Sequence, residues 1–223
     1  MMMRLLFAIL SVAALLYLLR QLRQPTKWTG RFFLWIMNMS HSSVTDWGLQ
    51  HVEIAKRFSV LDVGCGGGRT IEKLAALAGE GLVYGVDYAD GSVAASRAKN
   101  AQLIQAGRVE IRQASVSRLP FSDGTFDLVT AVETQYYWPD LVADMREIQR
   151  VLKPRGTLIV IVESYHKGKR REGQRPGLRF LKTLSVDEQR ELFTAAGYEE
   201  IQVFEERDKG WLCAMGAKPA VFI

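Results

Sequence analysis

Apolar and polar positions divide the chain into short runs of buried character separated by longer amphipathic stretches. Near-continuous or alternating apolar runs near residues 58–63, 82–87, 108–113, 126–132, 156–162, 200–206 and 211–218 read as strands. Helical spacing of apolar residues appears near 69–78, 91–106, 138–152 and 185–196. Strands that alternate with helices predict βα units around a parallel sheet, the α/β class. Ser185 with Glu188 reads as a capping box opening the last helix, and Gly197 closes it. Only the polar turn Glu206–Gly210 separates the final two strands, which predicts a hairpin and therefore one antiparallel strand.

The first predicted strand runs into a glycine turn, Val60-Leu-Asp-Val-Gly-Cys-Gly-Gly-Gly-Arg69, and the second, Val83-Tyr-Gly-Val-Asp87, closes on an acid. Strand, glycine turn, helix and a second strand ending in an acid is how an α/β sheet holds a nucleoside. A dinucleotide site reads G-x-G-x-x-G/A, where the third small residue lets the helix pack closely and its N-terminus faces a pyrophosphate. Here the spacing is D-x-G-x-G-x-G, with Asp62, Gly64, Gly66 and Gly68, and Arg69 stands at the third position. Asp62 would repel a pyrophosphate, whereas a cofactor bearing an ammonium and a sulfonium suits an acid there. A tight turn with no ligand is the bland reading of the glycines alone.

Two further segments bear on the choice. Ser115-Val-Ser-Arg-Leu-Pro-Phe-Ser-Asp-Gly-Thr-Phe-Asp-Leu-Val129 is similar to a D-A-x-x-L-P-F-x-D-x-x-F-D-x-V pattern, and Glu147-Ile-Gln-Arg-Val-Leu-Lys-Pro-Arg-Gly156 to E-x-x-R-V-L-K-P-G-G. With the glycine turn, these resemble the class I S-adenosylmethionine-dependent methyltransferases, in particular their quinone-methylating and general small-molecule branches, from about Trp47 onward. The resemblance implies a Rossmann-like, doubly wound seven-stranded sheet in the order 3-2-1-4-5-7-6 with the last strand antiparallel. It implies S-adenosyl-L-methionine as cofactor. Gly64, Gly66 and Gly68 would let backbone approach it, and Asp62 would face its amino-acid end. Asp87 would accept from both ribose hydroxyls, and Tyr88 would lie against the adenine. Ser115 stands where the family usually has an acid for the adenine amino group, so the charge is missing there; the backbone N–H of Val116 would serve the ring.

Length and composition fit one such domain with appendages, since 223 residues with 48% hydrophobic content supply an ample core. Cys65 and Cys213 show no disulfide or metal spacing, and Cys65 reads as a small residue in a tight turn rather than a nucleophile. Charge is unevenly spread. Residues 1–45 and residues 163–182 carry +5 each, and the whole chain carries +5, so the remainder carries −5. Localised basicity argues against a nucleic-acid-binding surface and for contact of the flanks with something anionic.

The first flank contains Leu5–Leu19, fifteen uncharged residues between Arg4 and Arg20. As a helix it spans about 22 Å, short of the roughly 30 Å hydrocarbon layer, although Leu22 and snorkelling arginines extend it. No small-x-small cleavage site follows, so residues 1–24 are expected to be a hydrophobic helix that anchors the chain to a membrane through residues 5–22. A soluble or dimer-packing helix is the competing reading. Bases after the run place the catalytic domain on the cytoplasmic side. Residues 25–50, rich in Trp, Phe and Met, are expected to form a cap or linker near the site, with His41 beside it or in an exposed loop. Residues 51–223 form the cofactor-binding domain, with a basic insert at 163–182 that includes Tyr165 and His166.

Methyl transfer from a sulfonium needs alignment, desolvation and, for some acceptors, a base. Ligands bind at the carboxyl ends of strands in such sheets, so Glu133-Thr-Gln-Tyr-Tyr-Trp-Pro-Asp140 after the fourth strand supplies the candidates. Glu133 would contact the cofactor or act as base, Tyr137 would assist catalysis, and Tyr136 and Trp138 would shape the acceptor pocket. The expected function is S-adenosylmethionine-dependent methyl transfer to a small, apolar or membrane-associated acceptor, with no metal and no nucleic acid. A nicotinamide-dependent oxidoreductase and a catalytically silent cofactor-binding protein are the alternatives.

Overall fold

The computed structural model describes residues 42–165 and 183–220. The hydrophobic helix and anchor expected at residues 1–24, residues 25–41 of the expected cap or linker with His41, and most of the basic insert with His166 lie outside the described residues. Among the described residues no helix is long and apolar enough to cross a membrane.

The helices are α1 (Ser42–Leu49), α2 (Arg69–Leu77), α3 (Asp90–Lys99), α4 (Ala101–Gln105), α5 (Leu141–Val151) and α6 (Val186–Ala195). The strands are β1 (Val60–Val63), β2 (Val83–Asp87), β3 (Val109–Gln113), β4 (Phe126–Val132), β5 (Leu152–Val162), β6 (Glu199–Glu206) and β7 (Trp211–Ala217). They form one seven-stranded sheet in the order β3-β2-β1-β4-β5-β7-β6. The order reverses between β1 and β4, so the crevice outside their carboxyl ends is where such a sheet binds ligands. β7 pairs antiparallel with β6, as the short turn after Glu206 requires, and also antiparallel with β5.

The central strands are apolar throughout because both faces are covered: all four residues of β1 are buried, as is most of β4 and β5. One core cluster packs α5 and α6 on the sheet through Phe126, Met145, Ile148 and Phe193. The other packs α1 and α2 on the opposite face through Val44, Ile71, Leu74 and Ile161. Gly48 brings α1 flush against β5, since a Cβ there would lie 2.5 Å from Cδ1 of Ile161.

Three element boundaries differ from the sequence expectation. The helix expected at 91–106 is two helices, because Asn100 turns its amide onto the carbonyls of Gly68 and Ser96, both at 2.9 Å. The helix expected at 138–152 begins only at Leu141, after Pro139, with Asp140 as N-cap accepting from Ala143 N at 3.1 Å; a 3-10 turn occupies Gln135–Tyr137. β5 starts at Leu152, paired with Phe126 across an irregularity in register, so Lys153-Pro-Arg-Gly156 belongs to the strand rather than to a turn before it. The capping box of Ser185 and Glu188 is present in full.

Candidate active site

A cavity of about 290 Å³ opens at the carboxyl ends of β1, β2 and β4. Its floor is the turn between β1 and α2. The N–H groups of Gly64 and Cys65 both donate to the carbonyl of Val86, at 2.8 and 3.0 Å, which ties the turn to β2. Gly64 adopts φ +76°, and a Cβ there would lie 2.1 Å from Oγ1 of Thr134. Gly68, at φ +78°, lies so close to α3 that a Cβ would meet Cα of Ser96 at 2.9 Å. Close helix packing at this turn therefore exists, but Gly68 provides it toward α3. Arg69, one residue on, lines the cavity instead.

Asp87 closes β2 and is buried. Its Oδ2 accepts from Gly66 N at 3.0 Å and its Oδ1 from Ala89 N at 2.9 Å. Burial raises its pKa, and those N–H bonds, with the Ser92 hydroxyl and Tyr88 N–H, pull the other way. Tyr88 is 40% exposed at the rim. Ala114, Ser115 and Val116 form the adjoining wall, with the Ser115 hydroxyl accepting from Ser117 N at 3.2 Å.

Asp62 lies beneath the turn rather than in the cavity wall. It is 2% exposed, and its Oδ1 accepts from the Thr130 hydroxyl at 2.6 Å. Burial, opposed by the Thr130 hydrogen bond, raises its pKa to about 7. Cys65 lines the cavity, but burial and the nearby carboxylates of Asp62 and Asp87 hold its thiol well above the ordinary range, so it is no thiolate nucleophile.

Glu133 follows β4 with φ +54°, a conformation that a non-glycine residue holds only when its surroundings impose it. Its N–H donates to Ile161 O at 2.9 Å, and its carboxylate accepts from Glu163 N. Burial raises its pKa to about 7. Tyr137, Trp138 and Pro139 continue the wall beside it. Tyr136 is turned away, its hydroxyl donating to Ser164 O at 3.3 Å and lying 3.5 Å from Glu133.

The cavity thus brings together Gly64, Gly66, Asp87, Tyr88, Ser115, Val116, Glu133 and Tyr137. Gly68 and Asp62 support its floor from behind. Sequence reasoning did not single out Ser42 and Thr45 on α1 or Thr70 and Lys73 on α2, which also line it. Helical spacing carried a signal for Lys73, which stands four residues from Arg69 and so on the same face of α2. The cap or linker expected near the site at residues 25–50 includes α1, but nothing in the sequence pattern says which residues of α1 reach this rim, because that placement depends on Gly48 meeting β5.

The chemistry of this donor set suits a nucleoside with a cationic tail. Asp87 is an acceptor-only group with lone pairs to spare for vicinal hydroxyls, and three carboxyls stand in or under the floor and wall.

Residues 61–160 match a family model described as methyltransferase domain. The chain is 31% identical to sterol 4-C-methyltransferase strm-1 of Caenorhabditis elegans over 136 residues, 61% of this chain and 39% of that protein. It is 35% identical to demethylmenaquinone methyltransferase of Lactiplantibacillus plantarum over 117 residues, 52% of this chain and 49% of the relative. The chain therefore spans half or less of these two relatives. Among solved structures it is similar to the putative methyltransferase in a complex with a methyltransferase activator of Haloferax volcanii, with a TM-score of 0.71, 24% identity, and coverage of 86% of this chain and 96% of that one.

Proposed function

We propose that residues 61–160, which match a methyltransferase-domain model, form a class I S-adenosylmethionine-dependent methyltransferase domain and that the chain methylates a small apolar acceptor. One observation carries the reading: the glycine turn, the fixed Asp87 carboxylate and the Ala114–Val116 wall converge on a single cavity at the topological switch point. When bound, S-adenosylmethionine supplies an electrophilic methyl group on a sulfonium. Everything else falls to the chain.

Asp87 binds the ribose hydroxyls, pre-set by Gly66 and Ala89 so that no reorganisation accompanies binding. Ser115 and the Val116 backbone serve the adenine, and Tyr88 stands at its rim. Asp62, Asp87 and Glu133 set acidic groups in or under the floor and wall that favour a cation, while Arg69 and Lys73 are the basic groups of the same lining. Glu133, with a pKa near neutrality, accepts the acceptor's proton where one must leave. Tyr137, Trp138, Pro139 and Val132 offer an apolar surface on which an acceptor can be aligned and dried.

The relatives' names, a sterol and a demethylmenaquinone methyltransferase, favour an apolar ring system as acceptor. Attachment to the cytoplasmic face of a membrane through residues 5–22 belongs to the same proposal and rests on the uncharged run Leu5–Leu19. Incubation of the full chain with methyl-labelled cofactor and separate sterol, quinone and polar-metabolite pools tests the reading. Label is expected in an apolar product; label confined to polar metabolites would refute the acceptor class. Co-flotation of the full chain with anionic vesicles, lost when residues 1–24 are removed, is expected if the anchor is real.

A further inference from the structure

The rim of the cavity contains a tie between two helices that the methyltransferase reading leaves unused. Lys73, on the second turn of α2, donates to Ser42 O at 3.1 Å, to Ser42 Oγ at 3.0 Å, and to the Asp46 carboxylate. Its side chain is 21% exposed, whereas that of Asp46 is 58% exposed. An ammonium has three N–H donors, and these three acceptors use all of them.

α1 is packed on the sheet along its length: Val44 is 1% exposed, Gly48 lies flush on Ile161, Leu49 is buried, and Trp47 sits against Trp211 with ring centroids 5.9 Å apart. Its N-terminal half also carries Ser42 and Thr45 over the cavity. Lys73 joins that half to α2, the helix that rises from the glycine turn. Arg69, one turn earlier on the same helix, also lines the cavity, so α2 addresses both the ligand floor and the helix above it.

We infer that Lys73 is a positioning residue: it ties the first turn of α1 across the mouth of the cavity, and the strength of that tie sets how tightly the cofactor is retained. The inference rests on the cofactor reading above. A ligand that binds only when α1 is seated has an apparent affinity reduced by the seated fraction, so loosening the tie weakens binding without removing any group that touches the ligand. The rival role for Lys73 is direct pairing with the ligand's carboxylate. The two roles give opposite signs at Asp46. Removing the Asp46 charge weakens the tie, leaving the bonds to Ser42 and a neutral amide, but it would release Lys73 for a ligand carboxylate.

The experiment compares wild type, Asp46→Asn, Lys73→Met, Lys73→Arg and the Asp46→Asn/Lys73→Met double variant of the full chain. Calorimetry with S-adenosylhomocysteine is read beside hydrogen exchange of residues 42–49 without ligand. The tie predicts that Asp46→Asn and Lys73→Met each weaken binding by about fivefold or more, that the double variant is no worse than Lys73→Met, and that Lys73→Arg keeps most of the affinity. Exchange of the α1 amides is expected to accelerate in both single variants while thermal midpoints stay near wild type. Tighter or unchanged binding in Asp46→Asn, or unchanged α1 exchange in both variants, would overturn the inference. If wild type itself fails to bind S-adenosylhomocysteine, the cofactor reading falls, and the ligand-free exchange still reports whether the tie exists.

Discussion

The Asp87 carboxylate accepts the backbone N–H of Gly66 at 3.0 Å, joining the acid that closes β2 to the middle of the turn that follows β1. The two sequence features that first suggested a nucleoside site, about twenty residues apart, are therefore one hydrogen-bonded unit. Asp87→Ala removes a ligand acceptor and unpins the turn together. Charge-assisted hydrogen bonds of this kind contribute about 1.5–3 kcal/mol, so S-adenosylhomocysteine affinity is expected to fall roughly 10- to 100-fold, measured by calorimetry.

Stability and ligand affinity are expected to depend on pH in opposite directions. Asp62 and Glu133 titrate at about 7 in the folded chain because burial raises them, well above the ordinary carboxyl range. Between that range and about 7 the folded protein holds protons that the unfolded chain has released, so stability is greatest at the acidic end and falls as pH rises through this window. A cationic ligand favours the ionised carboxylates. Its affinity is expected to rise from about pH 6 to 8 with proton release, seen as a dependence of the binding heat on buffer. Glu133→Gln is expected to flatten both profiles in part.

Two glycines at similar φ separate strain from crowding. Gly64→Ala meets Thr134 as well as an unfavourable φ of +76°, while Gly107→Ala, at φ +70°, has nothing within 4 Å of its new Cβ. Denaturant titration is expected to show a loss of about 1 kcal/mol for Gly107→Ala and several-fold that for Gly64→Ala, since overpacking adds roughly 1–3 kcal/mol.

Arg150 is expected to matter to the adenine wall without touching it. Its guanidinium bonds Glu147 through two N–H groups, Asp123, and the carbonyls of Leu119 and Phe121, while Glu147 accepts from Leu119 N at 2.7 Å. Arg150→Ala takes a donor from two carbonyls and from a partly buried carboxylate that keeps only the Leu119 N–H, a cost of about 1–3 kcal/mol. Lys cannot replace a fork that addresses this many acceptors, so Arg150→Lys is expected to recover only part of the stability and of the ligand affinity.

That network also explains why so much was legible in the sequence. The Leu119-Pro-Phe and Glu147-x-x-Arg150 segments are separate motifs along the chain but one clamp in space, and motifs of residues that bond each other keep their spacing. The α/β class and the reversed β7 followed from alternating elements and a turn too short for a crossover, whereas the sheet order was expected from the family resemblance. Boundaries were read less well where a long-range contact decided them: Asn100 splits a helix by bonding Gly68, and backbone pairing with Phe126 brings Leu152 into β5. The close approach of Gly68 to α3 was not anticipated, because a linear motif does not say which helix a glycine faces. Ser42 and Thr45 were missed because their place at the rim comes from a helix docking on a distant strand, and Lys73 was missed although its spacing from Arg69 puts both on one face of α2.

The most direct measurement is calorimetric titration of the full chain with S-adenosylhomocysteine and, separately, with NAD. Saturable binding of S-adenosylhomocysteine that weakens in Asp87→Ala, with no heat from NAD beyond dilution, is the expected result. Binding of NAD with none of S-adenosylhomocysteine would contradict the assignment of the cavity to a sulfonium cofactor.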